Sequence, residues 1–264
     1  MSMVIPPAFL TLALQMADEA GQIARRHFRQ KMAVEIKKDD SPVSIADREI
    51  ERRIREMLAA HVPDHAILGE EEGGDISAAE EGWAWVIDPI DGTRAFLAGV
   101  PTFGTLIALC YDGTPVLGIL DQPILRERWV GMAGEPTTLN GLPVRTRPCL
   151  LLSDATFSTT SAFLFRVSDQ ENIRAIADSV RSTVYGKDCL AYGLLAGGWI
   201  DLVVESGLKA HDILALVPII EGAGGVLARW DGMPLSIDKC RNGIDVIAAG
   251  DESLLTAAQI ILRR

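Results

Sequence analysis

Apolar residues recur at helical spacing almost from the start of the chain. After Pro7, the positions Leu10, Leu14, Ala17, Gly21, Ala24 and Phe28 predict an amphipathic first helix. The run "KKDDSP" interrupts the pattern with charge and a proline. A second helix is predicted from Ser44, with Ile50, Ile54 and Leu58 on one face and Glu51 paired with Arg55 on another. "AILGEEEGG" then reads as a short strand entering an acidic loop, and "WAWVID" as a buried strand.

From Thr105 the period changes to that of a sheet. "TLIALCY", "TPVLGILDQP" and "RERWVGMAG" predict consecutive antiparallel strands, the first two joined at an Asp-Gly turn. The turn-rich "GEPTTLNGLPVRTRP" divides the pattern into an α+β half over residues 1–140 and an α/β half over 141–264. In the second half, strands at "DATFST", "STVYG", "DLVVE", "GVLARW" and "DVIAAG" alternate with helices. Those helices are expected around 170–182, from about Asp188 to Gly198, from about Asp212 to Gly222 and at the C-terminus.

The 264 residues are 48% hydrophobic and 23% charged, the balance of an ordinary soluble globular protein. A net charge of −11 with no basic stripe argues against a nucleic-acid partner. Cys110, Cys149, Cys189 and Cys240 stand far apart, so buried free thiols are expected rather than a disulfide framework or a zinc site. No apolar run reaches the roughly 18 residues of a membrane span. The N-terminal segment lacks the basic start of a signal peptide, which makes a reducing cytoplasm the expected location.

Candidate chemistry gathers at "VIDPIDGTRAF", residues 86–96. Asp-Pro and Asp-Gly are turn dipeptides, so the segment alone also fits a plain strand-ending turn. In the functional reading, Asp88 closes a strand and Pro89 shapes the backbone so that Asp91 returns beside it. Two carboxylates and the Ile90 carbonyl then form a hard-oxygen nest suited to Mg²⁺. Gly92 and Thr93 open a short helix whose N–H groups suit a phosphate. Adjacent metal and anion sites are what phosphoryl transfer to water requires.

Three further segments accompany this one. "KKDDSPVSIAD" supplies Asp47, "ILGEEEGG" supplies Glu70, and "GLKAHDILALVPIIEGAGG" supplies Asp212. With "DPIDGT" they resemble, in order and spacing, the signature of the inositol monophosphatase family of Mg²⁺-dependent, lithium-sensitive phosphatases, from about Lys37 to Gly225. The resemblance implies a layered αβαβα sugar-phosphatase fold, a homodimer and two to three Mg²⁺ per subunit. It implies that Glu70, Asp88 and the Ile90 carbonyl hold one Mg²⁺, and Asp88, Asp91 and Asp212 a second. A third, weaker ion would lean on Glu70. Thr93, with Glu70 and Asp47, would orient and deprotonate the attacking water, and the Gly92 and Thr93 amides would grip the phosphate.

Plainer readings stand beside these. Asp47 lies three residues after Ser44, the spacing of a capping box. Asp212 also fits a helix cap, and Glu71 and Glu72 fit a solvated run. His211 departs from the aromatic residue usual before this aspartate; it is read as a packed surrogate for that ring, not as a ligand.

For the substrate, "DGTRAF" with Arg94 resembles the histidinol-phosphate phosphatase branch more than the "DGTTNF" common in inositol-specific members. Histidinol phosphate carries an ammonium and an imidazole, and Glu205 and Asp188 would supply carboxylates for them. Asp188 also fits a helix cap, and Lys187 beside it is an odd neighbour for a cation pocket. The alternative substrate is an inositol monophosphate; a nucleotide bisphosphate ranks behind, because no basic patch awaits a second phosphate.

Overall fold

The computed structural model describes residues 5–30, 34–36 and 42–263; the charged break at 37–41 lies outside them. In chain order the first elements are α1 (Pro7–His27), β1 (Val34–Ile36), β2 (Pro42–Ser44), α2 (Ile45–His61), β3 (Ala66–Gly69) and α3 (Ile76–Ala79). Next come β4 (Trp83–Asp91), α4 (Thr93–Ala98), β5 (Gly104–Tyr111), β6 (Thr114–Gln122), β7 (Glu127–Met132), β8 (Thr138–Leu139) and β9 (Leu142–Pro143). The chain continues with β10 (Thr156–Thr159), α5 (Gln170–Ser179), β11 (Ser182–Tyr185), α6 (Leu190–Ala196), β12 (Leu202–Leu208) and α7 (Ala210–Ile213). It ends with α8 (Leu216–Gly222), β13 (Val226–Arg229), β14 (Ile244–Ala249) and α9 (Glu252–Leu262).

Besides the small β1–β2 pair, two sheets form. One has seven strands in the order β3 to β9, the other five in the order β11-β10-β12-β14-β13. The predicted antiparallel run is present as β5 to β7; β4 joins it antiparallel to β5, with β3 added parallel to β4. β8 and β9 pair across residues 140 and 141 and extend the first sheet, so the turn-rich segment is itself partly a hairpin.

Both sheets are covered on both faces, which explains their near-continuous apolar runs. In β5, Leu106 and Ala108 face one core while Ile107 and Leu109 face another. The outer face packs on α1 and α2 through Met16, Ile50, Ile54 and Leu58. The inner face meets α6 and α8 through Leu195, Leu216 and Ile219, which also pack on Val203 and Val246 of the second sheet. The far side of that sheet is closed by Ile173 and Ile176 of α5 and Leu254, Leu255 and Ala258 of α9. The result is five layers, αβαβα. Two glycines allow the tight middle layer: a Cβ at Gly118 would lie 1.8 Å from the Ala215 carbonyl oxygen, and one at Gly131 2.4 Å from the Ile219 nitrogen.

The helix expected from Asp212 to Gly222 is two pieces, α7 and α8. Pro218 has no N–H to bond the Leu214 carbonyl one turn back, so the helix breaks between them. All four cysteines are free and buried. Among the described residues no helix is long and apolar enough to cross a membrane.

Candidate active site

Asp88 and Asp91 are three residues apart in one strand, and in a regular strand that spacing sends side chains to opposite faces. A bulge removes the conflict. Asp88 pairs with Leu106 and Asp91 with Gly104, so β4 takes three steps where β5 takes two. Pro89 sits within the bulge, where a missing N–H is tolerated, and its carbonyl accepts a hydrogen bond from Thr105 Oγ1 at 2.8 Å. The strand therefore runs on to Asp91 instead of closing at Asp88. Carboxylate oxygens of Asp88, Asp91 and Asp212 converge within 4.8 Å of one another. Asp212 is fixed in the first turn of α7, where the Lys209 N–H donates to its Oδ2 at 2.6 Å.

Glu70 follows β3, and its N–H donates to the Ile87 carbonyl at 3.1 Å, continuing the parallel pairing with β4. The acidic turn after it is held from beneath by Glu51. That side chain pairs with Arg55 as expected, at 2.9 Å, but it is fully buried and also accepts the N–H groups of Glu71 and Glu72 at 2.7 and 3.0 Å. Gly69 leaves the space, since a Cβ there would lie 1.9 Å from Glu51 Oε1. Placing Glu51 on a face apart from the apolar one is thus corrected. Its spacing, four after Asp47 and three before Ile54, already puts it on the buried stripe.

Asp47 is a cap that also reaches Thr93. Its Oδ2 accepts the Ser44 N–H at 2.9 Å and the Ser44 hydroxyl at 2.6 Å, closing the capping box. Its other oxygen faces Thr93 Oγ1 at 3.5 Å, while that hydroxyl also donates to the Ile90 carbonyl at 3.1 Å. Burial pushes the Asp47 carboxyl up to about 6 against the Ser44 hydrogen bonds.

The carboxylates of this cluster crowd one another. Burial, then repulsion from Glu70, Asp91, Asp212 and Asp47, holds Asp88 well above the usual carboxylate range. Burial, then Asp188 and Asp212, does the same to Asp91, despite the Cys189 N–H that donates to its Oδ2 at 2.6 Å. Asp88 Oδ1 is buried without a hydrogen-bond partner. Crowded oxygens of this kind, one of them unsatisfied, fit a divalent cation, which would lower every one of these energies.

The cluster opens on a cleft of about 760 Å³ lined by Glu70, Gly92, Thr93, Arg94, Thr160 and Asp188, among others. Asp188 has a left-handed backbone, φ 46°, and packs over the Gly92 turn. Thr102 Oγ1 donates to its Oδ2 at 3.1 Å. Burial raises the Asp188 carboxyl, and Thr102 and Lys187 oppose the rise. Glu205 stands behind the cleft wall, 4% exposed, with its Oε1 accepting the Thr160 N–H at 2.6 Å. Burial first, with Asp188 adding repulsion, pushes it up to about 7.

The family model described as the inositol monophosphatase family matches residues 8–262. The chain belongs to the inositol monophosphatase family. Bifunctional phosphatase IMPL2, chloroplastic, of Arabidopsis thaliana is 46% identical over 250 residues, covering 93% of this chain and 72% of that one. A histidinol-phosphatase of Chlorobaculum parvum is 36% identical over 234 residues, covering 87% and 88%. Among solved structures, an inositol monophosphatase from Zymomonas mobilis superposes with a TM-score of 0.89 at 43% identity, over 99% of this chain and 100% of that one. The αβαβα layering is that of the family, and the chain is a family phosphatase, a phosphoric monoester hydrolase.

Two further side chains approach the acids. Glu71, read as solvated, has a carboxylate oxygen within 4.8 Å of those of Asp47 and Glu70. His211 has a ring nitrogen within the same distance of carboxylate oxygens of Glu70 and Asp88. Adjacency to Asp212 was the one sequence sign for His211; for Glu71, adjacency to Glu70.

Proposed function

We propose that the chain hydrolyses histidinol phosphate to histidinol and inorganic phosphate, with two to three Mg²⁺ per subunit as cofactor. In this reading Glu70, Asp88 and the Ile90 carbonyl hold one ion, and Asp88, Asp91 and Asp212 another. When bound, Mg²⁺ supplies charge neutralisation for the phosphate and acidifies a water. The rest falls to the chain. The N–H groups of Gly92 and Thr93 orient the phosphate oxygens, and Arg94 adds a cation at the cleft. The Thr93 hydroxyl, with Glu70 and Asp47 beside it, aligns the attacking water and relays its proton, accepting it on Oγ1 as its own proton passes to the Asp47 carboxylate.

The substrate assignment rests on one observation: Asp188 lines the cleft against the turn at Gly92, and Glu205, buried behind the cleft-lining Thr160, is near enough for the two carboxylates to repel. A cationic alcohol would relieve that repulsion, while a neutral polyol would leave it in place. The histidinol-phosphatase name of the Chlorobaculum relative supports the same choice. The second reading, a broad inositol monophosphatase, is favoured by the name of the Zymomonas structure. A homodimer in a reducing cytoplasm, inhibited by lithium and serving histidine biosynthesis, completes the proposal.

Phosphate release with Mg²⁺ across histidinol phosphate, inositol monophosphates, fructose bisphosphate and adenosine bisphosphate tests it. Histidinol phosphate is expected to lead. Another substrate leading the panel rejects the assignment and keeps only the phosphatase.

A further inference from the structure

The residue before Asp212 is a histidine, and α7 carries its ring to the acid cluster. The side chain is 15% exposed, with Nε2 3.5 Å from Asp212 Oδ1. That distance is beyond the roughly 2.7–3.2 Å of a good hydrogen bond, so the contact does not commit the ring nitrogen. A ring nitrogen also lies within 4.8 Å of carboxylate oxygens of both Glu70 and Asp88. Asp88 is 1% exposed, and its Oδ1 has no hydrogen-bond partner. Three donors from three elements, β3's following turn, β4 and α7, thus surround one point, and one of them is a buried oxygen lacking a partner.

We infer that the position between Glu70 and Asp88 is a mixed oxygen–nitrogen metal site in which His211 supplies an imidazole nitrogen, and that it takes Mn²⁺ or Zn²⁺ in preference to Mg²⁺. The inference rests on the metal-dependent reading above, and it alters the identity of one ion. Mg²⁺ is a hard cation that favours oxygen, whereas imidazole strengthens binding of Mn²⁺ and, further along the series, Zn²⁺. Donors about 2.0–2.2 Å from one ion stand roughly 3–4.4 Å apart, so a set already within 4.8 Å closes with a small side-chain movement. The Asp88–Asp91–Asp212 position has only oxygen donors and stays suited to Mg²⁺. The chain therefore carries two unlike positions sharing Asp88. A phenylalanine ring in place of His211 offers no nitrogen.

The test uses the full chain stripped of metal. Mn²⁺ is added and pulsed electron paramagnetic resonance reads ¹⁴N coupling to the ion; calorimetry compares Mn²⁺ with Mg²⁺ affinity in wild type and His211→Phe. Imidazole coupling is expected in wild type and absent in the variant, with the Mn²⁺-over-Mg²⁺ preference falling at least ~10-fold. Mg²⁺ affinity should stay within about threefold. Mn²⁺ bound without ¹⁴N coupling in wild type overturns the role of His211 while leaving the metal reading standing. Failure of wild type to bind either metal overturns both. The wild-type spectrum decides the matter even where His211→Phe does not fold.

Discussion

The Thr93 hydroxyl lies between two acceptors, the Ile90 carbonyl at 3.1 Å and Asp47 Oδ1 at 3.5 Å. It has one proton to give, so it can donate to only one of them at a time. Asp47 in turn is anchored by Ser44 through its other oxygen. The bulge carbonyl of Ile90 and the capping Asp47 thus meet at the hydroxyl of Thr93, 46 residues from Asp47 in the chain.

This arrangement separates catalysis from stability. Thr93→Ala is expected to lower kcat by at least ~100-fold, the usual weight of a positioned proton acceptor or relay. Its melting temperature should barely move. Asp47→Asn should lose activity and also about 1 kcal/mol of stability, because it disturbs the cap. Steady-state rates beside thermal melts distinguish the two, and an active Thr93→Ala enzyme contradicts the relay.

Metal ligation gives a second expectation. Asp91→Asn and Asp212→Asn should each cut activity by ~100-fold or more, since direct ligands should matter at least as much as the groups that orient them. Wild type should melt higher in Mg²⁺ than in EDTA, because a ligand of the folded state alone raises its stability. Undiminished turnover in EDTA would rule out the metal mechanism.

The buried Glu205 sets a pH dependence. Its folded-state pKa, about 7, stands above the ordinary 4.5, so the folded chain holds a proton that the unfolded chain has lost. Stability attributable to this group is therefore greatest below pH 4.5 and falls as pH rises toward 7, by on the order of 3 kcal/mol. Glu205→Gln lacks that fall. Melts at pH 5 and pH 7.5 should show the variant gaining on wild type with pH; a constant difference contradicts the burial argument.

The turn proposed to hold the phosphate depends on a residue without a side chain. Gly92 has φ +84°, and a Cβ there would lie 2.9 Å from Asp188 Cγ. Gly92→Ala should cost roughly 1–2 kcal/mol for the left-handed backbone alone. Displacing Asp188 should lower kcat/KM as well. An unfolding titration and a rate measurement on the same sample check both effects.

Much of this site was legible in the sequence. The run from Val86 to Thr93 named its own carboxylates, and apolar spacing in α1, α2 and the long strands located the elements that carry them. What spacing could not supply was how Asp88 and Asp91 share a face, because that depends on a register shift against β5. The contact of Asp188 with Gly92 was equally hidden, being made between residues far apart in the chain. The approach of the His211 ring to Glu70 and Asp88 was hidden too, because a residue next to Asp212 can point toward or away from the acids and spacing does not say which. Glu51 was hidden by its type, since a carboxylate on an apolar stripe reads as surface until its partners at Glu71 and Glu72 are seen.

The central claim is that Asp188 and Glu205 select a cationic alcohol. The direct measurement is kcat/KM for histidinol phosphate and inositol 1-phosphate in wild type and in the Asp188→Asn/Glu205→Gln double variant. Wild type should prefer histidinol phosphate. Removing a buried charge partner costs ~2–5 kcal/mol, and at ~2 kcal/mol the double variant should lose roughly thirtyfold on that substrate, with inositol 1-phosphate little affected. Equal losses on both substrates, or a wild type that prefers inositol 1-phosphate, would contradict it.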